Sequence, residues 1–172
     1  MQNLAQLLQN YHSYHTKLAT KVTHYIGVPL IIFSILLFLS WFSFGLNPFV
    51  TIPLVWFAII SAGIYYIRLD RQLGIILLIT FIIMTLIAGV SWHYELGKSS
   101  FIAFLITFIG GWLIQFIGHF LEGQKPAFMD NLLQVFAAPL YITAEVMIKL
   151  GKRADLKQTL YPEKEENGNN IS

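Results

Sequence analysis

Between residues 25 and 67 the chain carries no Asp, Glu, Lys or Arg, and from residue 25 to residue 100 it carries only five. A soluble domain has about one charged residue in four. Here charged residues are 12% of 172, and hydrophobic residues are 56%. A stretch this long and this apolar is satisfied by lipid, not water.

The apolar residues fall into four runs, about 25–46, 49–67, 73–92 and 100–121. Each is close to the roughly 20 residues that an α-helix needs to cross the hydrocarbon core. Short polar linkers separate them, so the helices are expected to be antiparallel neighbours. The fold class is therefore all-α: an integral membrane bundle of four transmembrane spans. Two further segments complete it. Residues 1–24 place Leu4, Leu7, Leu8, Tyr11 and Leu18 at helical spacing and predict an amphipathic N-terminal helix at the membrane surface. There is no secretory signal pattern. Residues 127–150 contain Asp130, Asn131, Gln134, Pro139 and Glu145, too polar for a lipid-exposed span. They predict an interfacial or re-entrant helical hairpin, bent at Pro139. Residues 1–157 read as one membrane-embedded catalytic domain, and 158–172 as a polar, disordered tail.

The scarce charges orient the bundle. Lys17 and Lys21 precede the first run, Arg68 and Arg71 separate the second from the third, and Lys125, Lys149, Lys152, Arg153 and Lys157 follow the fourth. The opposite side holds Lys98. Both termini are thus expected on the cytoplasmic side, in a bacterial inner membrane or the endoplasmic reticulum according to source. A formal net charge of +2, with no basic cluster in the apolar body, excludes nucleic acid as a partner. The absence of Cys excludes disulfides, thiolate metal sites and a Cys nucleophile.

This orientation sorts the five histidines. His12, His15, His24 and His119 fall at one membrane face, and His93 at the other, where it suits an interfacial aromatic belt. Gln115, His119 and Glu122 share one helical face at i, i+4 and i+7. Such a polar stripe is costly in lipid unless it faces a site or a partner helix, and spacing alone leaves both open. His15 and His24 are nine apart, half a turn out of phase on one straight helix, so their joint use requires a break between them, near Thr20. Imidazoles with oxygen ligands and open positions suit Fe(II), Zn(II) or Mn(II). There is no HExxH, no GxSxG and no phosphate-binding glycine loop.

Two segments carry a resemblance. One is Tyr11-His12-Ser13-Tyr14-His15 with His24-Tyr25-Ile26-Gly27-Val28-Pro29-Leu30. The other runs from Gly111 to Gly151 and includes Gln115-Phe116-Ile117-Gly118-His119, Pro126-Ala127, Asp130-Asn131-Leu132 and Ala138-Pro139. Together they resemble the fungal-type 2-hydroxy fatty acid dioxygenase family, over nearly the whole chain up to the tail. The resemblance implies an Fe(II)-dependent integral membrane enzyme of fatty acid α-oxidation, which uses O2 to shorten a 2-hydroxy fatty acid by one carbon. It implies His15, His24 and His119 as metal ligands, with Glu122, Asp130 or His12 as a further one. The Asn-Pro-x-Asn often found between the first two histidines reads Thr16-Lys17-Leu18-Ala19-Thr20 here, and the acidic residue after His119 is three positions on, at Glu122. Gln115, Asp130, Asn131 and Glu145 are candidate catalytic-support residues, and Lys125 and Gln134 candidate substrate-binding ones. Two rivals stand beside this reading: haem ligation by His24 and His119, and a non-enzymatic bundle.

Overall fold

The computed structural model describes residues 3–47, 50–126, 129, 131 and 134–162. Among these, the elements in chain order are α1 (Leu4–Ser13), α2 (Leu18–Ser40), β1 (Ser43–Asn47), β2 (Val50–Pro53), α3 (Leu54–Leu69), α4 (Arg71–Trp92), α5 (Lys98–Glu122), α6 (Gln134–Lys149) and α7 (Ala154–Leu160). The chain is mostly helical, as expected. Three helices, α2, α4 and α5, are long and apolar enough to cross a membrane; α3, at 16 residues, is shorter. Their outer faces leave Ile75, Ile79, Ile83 and Val90 on α4 and Ile106, Ile109, Leu113 and Phe120 on α5 exposed. Contiguous apolar stripes of this kind suit lipid rather than water.

Two boundaries depart from the sequence expectation. The first apolar run was expected to stay helical to residue 46, but α2 stops at Ser40 and the chain enters an antiparallel hairpin. Ser43 pairs with Pro53, Phe44 with Ile52 and Gly45 with Thr51, with an irregularity before Asn47 meets Val50. Aromatic and β-branched residues suit a pleated strand, and hydropathy alone does not separate the two uses of an apolar run. The C-terminal hairpin was expected to bend at Pro139. Instead α6 continues through Pro139, and the reversal lies at Gly151, whose φ is +73°. There the Lys152 N–H donates to Met147 O and the Gly151 N–H to Ile148 O, the paired bonds of a Schellman close. α7 then runs past residue 157, the expected end of the domain, and buries Leu156 and Leu160. Residues 163–172 lie outside the described residues.

The bundle is built on the α2/α5 pair. A Cβ on Gly27 would lie 2.8 Å from Gly111 O, and one on Gly118 would lie 2.0 Å from Thr23 Oγ1. These glycines let two backbones approach closely, the usual means of helix pairing in lipid. The pairing is antiparallel: Thr23 meets Gly118, Gly27 meets Gly111, and Phe38 stacks near Phe104. α3 and α4 form a second antiparallel pair about the one-residue turn at Asp70, which caps α4 by accepting from Leu73 N–H at 2.9 Å. α1 and α6 pack across the end of the bundle where α2 begins and α5 ends.

Candidate metal centre

α5 ends in the same close as α6. Gly123, with φ +78°, places the Gln124 N–H on His119 O and the Gly123 N–H on Phe120 O. This fixes the last turn of α5 and His119 with it. α2 starts beside it without a side-chain cap of its own, because Lys17 occupies its N-cap position. Glu122 supplies one from the neighbouring helix. Its carboxylate accepts from the N–H groups of Thr16 (3.2 Å) and Lys17 (3.0 Å) and from the hydroxyls of Thr16 (2.5 Å) and Thr20 (2.5 Å). In return, Lys17 Nζ donates to Leu121 O at 2.9 Å and Glu122 O at 3.1 Å. Each helix end thus receives the charge that its dipole favours.

This exchange holds the break that the two histidines need. α1 ends at Ser13 and α2 starts at Leu18, so the break lies at residues 14–17, a little before the expected position near Thr20. His15 sits in the break and His24 on the second turn of α2, and both point at His119. The three side chains are buried, at 1%, 3% and 5% exposure. One ligand nitrogen from each lies within 4.8 Å of the others.

The hydrogen bonds define what these nitrogens can do. His15 Nδ1 lies 2.7 Å from Tyr11 O and His24 Nδ1 2.8 Å from Thr20 O. A carbonyl only accepts, so both Nδ1 atoms carry the proton and both Nε2 atoms carry a lone pair. Those two Nε2 atoms face each other at 3.1 Å. Two lone pairs at that distance repel unless a cation lies between them. Ligands about 2.1 Å from one ion, at tetrahedral to octahedral angles, stand about 3.0–3.4 Å apart. The donor set therefore fits a metal ion. Burial, and then His24, hold the His15 imidazole well below its usual range, at about 3, so it stays neutral and able to ligate. The Tyr11 ring stacks on His15 at 4.1 Å and 9°, and burial raises its phenol well above the ordinary value.

The other expected residues separate clearly. Glu122 is at the site's edge, engaged as the cap of α2. Gln115 and Gln134 line a cavity of about 300 Å³ that begins at the three histidines. The rest of its wall is mostly apolar and includes Ile31, Ile35 and Leu39 of α2, Ala58 of α3 and Phe81 of α4. His24 and Leu39 are fifteen residues apart on one helix, so the cavity extends about 22 Å along the bundle. Lys125 is exposed, and Asn131 O accepts the Gln134 N–H at 2.9 Å. Asp130 lies outside the described residues. His93 closes α4 in the left-handed region, outside the cluster.

Glu145 belongs to a different network. It accepts from Tyr141 at 2.7 Å, from Lys21 at 3.1 Å and from Tyr161, and Tyr141 in turn meets His12 Nδ1 at 2.7 Å. His12 is therefore bound into this clamp and not into the tri-histidine cluster. Burial alone would raise the Glu145 carboxyl; the bonds from Tyr161 and Tyr141 and the Lys21 charge outweigh it and hold it below the usual range. Sequence reasoning missed this clamp and the capping role of Glu122. The signal for the first was present as Tyr141 and Glu145 at i, i+4, one turn apart on α6.

The fold and the site together define a class: a lipid-suited helical bundle with a buried tri-histidine centre of metal-binding geometry beside a long apolar cavity. The family model described as 2-hydroxy-palmitic acid dioxygenase Mpo1-like matches residues 1–150, and the chain belongs to that family. It is 30% identical, over 165 residues, to the 2-hydroxy-palmitic acid dioxygenase MPO1 of Saccharomyces cerevisiae, an alignment covering 92% of this chain and 87% of the yeast protein. No solved structure matches the chain.

Proposed function

We propose that this chain is an Fe(II)-dependent dioxygenase that cleaves a 2-hydroxy fatty acid with O2 to the acid one carbon shorter. The observation that carries this is the His15/His24/His119 cluster opening into an apolar cavity, in a chain related to a protein named for that activity. The stoichiometry is self-contained. Conversion of the 2-hydroxy acid to the shortened acid and CO2 removes three electrons from C2 and one from C1. One O2 takes all four and leaves as water and one carboxylate oxygen, so no external reductant is needed. When bound, a redox-active metal would be held by His15, His24 and His119 and would supply O2 activation.

The chain's own residues supply the rest. Tyr11 O and Thr20 O hold His15 and His24 in the ligating tautomer. Burial of all three rings keeps bulk water from the reacting carbon. Gln115, one turn before His119, lines the same cavity and would face the substrate. The cavity takes the acyl chain: an extended chain advances about 1.2 Å per bond, so about 22 Å admits roughly 18 bonds. A haem between His24 and His119 has less support, because His15 packs against both rings, 4.3 and 4.9 Å from their centres.

α3 is proposed as the fourth crossing. The support is parity. The start of α2 and the end of α5 meet at the histidines, so an even number of crossings separates them, and α2, α4 and α5 make three. At about 24 Å, α3 is short of the roughly 30 Å core, a mismatch that bilayers absorb by local thinning. We read both termini as cytoplasmic; the Lys and Arg distribution and an even number of crossings support this. The catalytic unit then extends from α1 through α7.

The test is purification with metal analysis and product analysis. Iron close to one per chain, and conversion of 2-hydroxypalmitate to pentadecanoate that chelation abolishes, are expected. His15→Ala, His24→Ala and His119→Ala should each lower turnover by about 100-fold or more, given losses of 10- to 100-fold even for outer-shell partners. Full activity in a metal-free sample would overturn the reading.

A further inference from the structure

We propose that Gln134 reads the 2-hydroxyl group and makes the site select hydroxy acids over plain fatty acids; this rests on the function proposed above. The Gln134 side chain is 1% exposed, and neither its Oε1 nor its Nε2 has a hydrogen-bond partner. A buried primary amide with both ends unpaired is rare in a folded protein and costly to keep. Three other residues, Trp41, Thr85 and His119, carry an unpaired buried side-chain atom among the described residues. Of the four, Gln134 and His119 belong to the cavity wall.

Gln134 cannot easily turn away from the cavity. It is the first residue of α6, and its backbone N–H donates to Asn131 O at 2.9 Å. Two residues on, Phe136 O accepts from Tyr66 of α3 at 3.0 Å, and the far end of α6 is held through Glu145. The backbone that carries the amide is therefore held, and the amide is dry and unpaired in the wall of the cavity that the three histidines also line, a wall otherwise mostly apolar.

The ligand that satisfies it must offer a donor and an acceptor on neighbouring atoms. A 2-hydroxy acid does so: its O–H donates to Oε1, and an oxygen of its carboxylate or hydroxyl accepts from Nε2. The complementarity holds whichever way the amide is flipped. A plain fatty acid offers acceptors alone and leaves Oε1 buried and unpaired. Sites built to bond a hydroxyl reject the analogue lacking it far more strongly than apolar pockets reject a missing methylene.

The experiment measures binding of 2-hydroxypalmitate, 2-methoxypalmitate and palmitate to the full chain in detergent, for wild type and Gln134→Leu. Wild type should prefer 2-hydroxypalmitate over palmitate by about 10- to 100-fold. In Gln134→Leu that preference should fall to within about threefold, through weaker binding of the hydroxy acid with palmitate unchanged. A wild type without preference, or a Gln134→Leu that keeps it, overturns the proposal. Should Gln134→Leu fail to fold, the methoxy probe decides: it keeps the oxygen but has no proton to donate, so binding as tight as the hydroxy acid's also overturns it. Product analysis on wild type separates the two claims. Formation of pentadecanoate with unchanged selectivity in Gln134→Leu removes the role of Gln134 alone, whereas absence of product removes the dioxygenase reading.

Discussion

Glu122 shows how one carboxylate serves a site without entering it. Its spacing from His119 suits a ligand and a cap equally well, and the sequence does not distinguish them. What distinguishes them is where Thr16, Lys17 and Thr20 arrive, and that depends on a break in a different helix. As a cap, Glu122→Ala leaves two N–H groups and the Thr16 hydroxyl without their acceptor, while Thr20 keeps Gly118 O, and should destabilise the protein by about 2–4 kcal/mol. Thermal melting in detergent checks this. Glu122→Gln should keep the spectroscopic signature of the bound metal while lowering the melting temperature; an altered signature would mark it as a ligand instead. Glu145 gives a pH-dependent counterpart. Its folded pKa lies below the unfolded value, so its contribution is complete above about pH 4.3 and is lost as pH falls through the folded value. Wild type should lose thermal stability progressively below about pH 5, and Glu145→Gln should be less stable at neutral pH with a flatter acid profile.

At the scale of elements, the α2/α5 seam controls the distance between His24 and His119. A methyl on Gly27 meets the Gly111 carbonyl, which is backbone and cannot turn aside. Gly27→Ala should therefore cost about 1–3 kcal/mol and weaken metal retention by spreading the helices. Gly110→Ala, with nothing within 4 Å of the added carbon, is the matched control and should be neutral or slightly stabilising. α3 governs the depth of the cavity. Ala58 is eight residues from Tyr66, about 12 Å further from the histidine end, so Ala58→Phe should block the distal part of the cavity. Turnover of 2-hydroxypalmitate should fall about tenfold or more, with 2-hydroxydecanoate spared; an unchanged chain-length profile would mean the acyl chain lies elsewhere. The apolar runs revealed α4 and α5 almost to the residue, because polar turns bound both. They did not reveal the hairpin at 43–53, where Phe, Ile and Val suit strand and span alike.

At the scale of the whole molecule, the charge-poor sequence already separated His93 from the other histidines, since charge placement and crossing number are both written in the order of the chain. The cavity was not legible, because its wall draws on six helices whose lateral arrangement no periodicity encodes. Fusion reporters or glycosylation acceptors at each terminus and in the 43–53 hairpin check the topology: the termini should report one side and the hairpin the other. Arg153 bonds to both Asp70 and Asp155, at 3.0 and 2.7 Å, and ties the last helix to the turn between α3 and α4.

The three clustered histidines lie at positions 15, 24 and 119, and the helix that packs over them begins at 134. A chain emerging from the ribosome inserts α2 long before His119 exists. The centre therefore cannot form in step with insertion. It closes only once α6 and α7 have been made and α1 has folded back beneath them. Closure of the cluster is in this sense the molecule's own signal that α6 and α7 have arrived, and a chain cut short before them lacks the cover over its histidines.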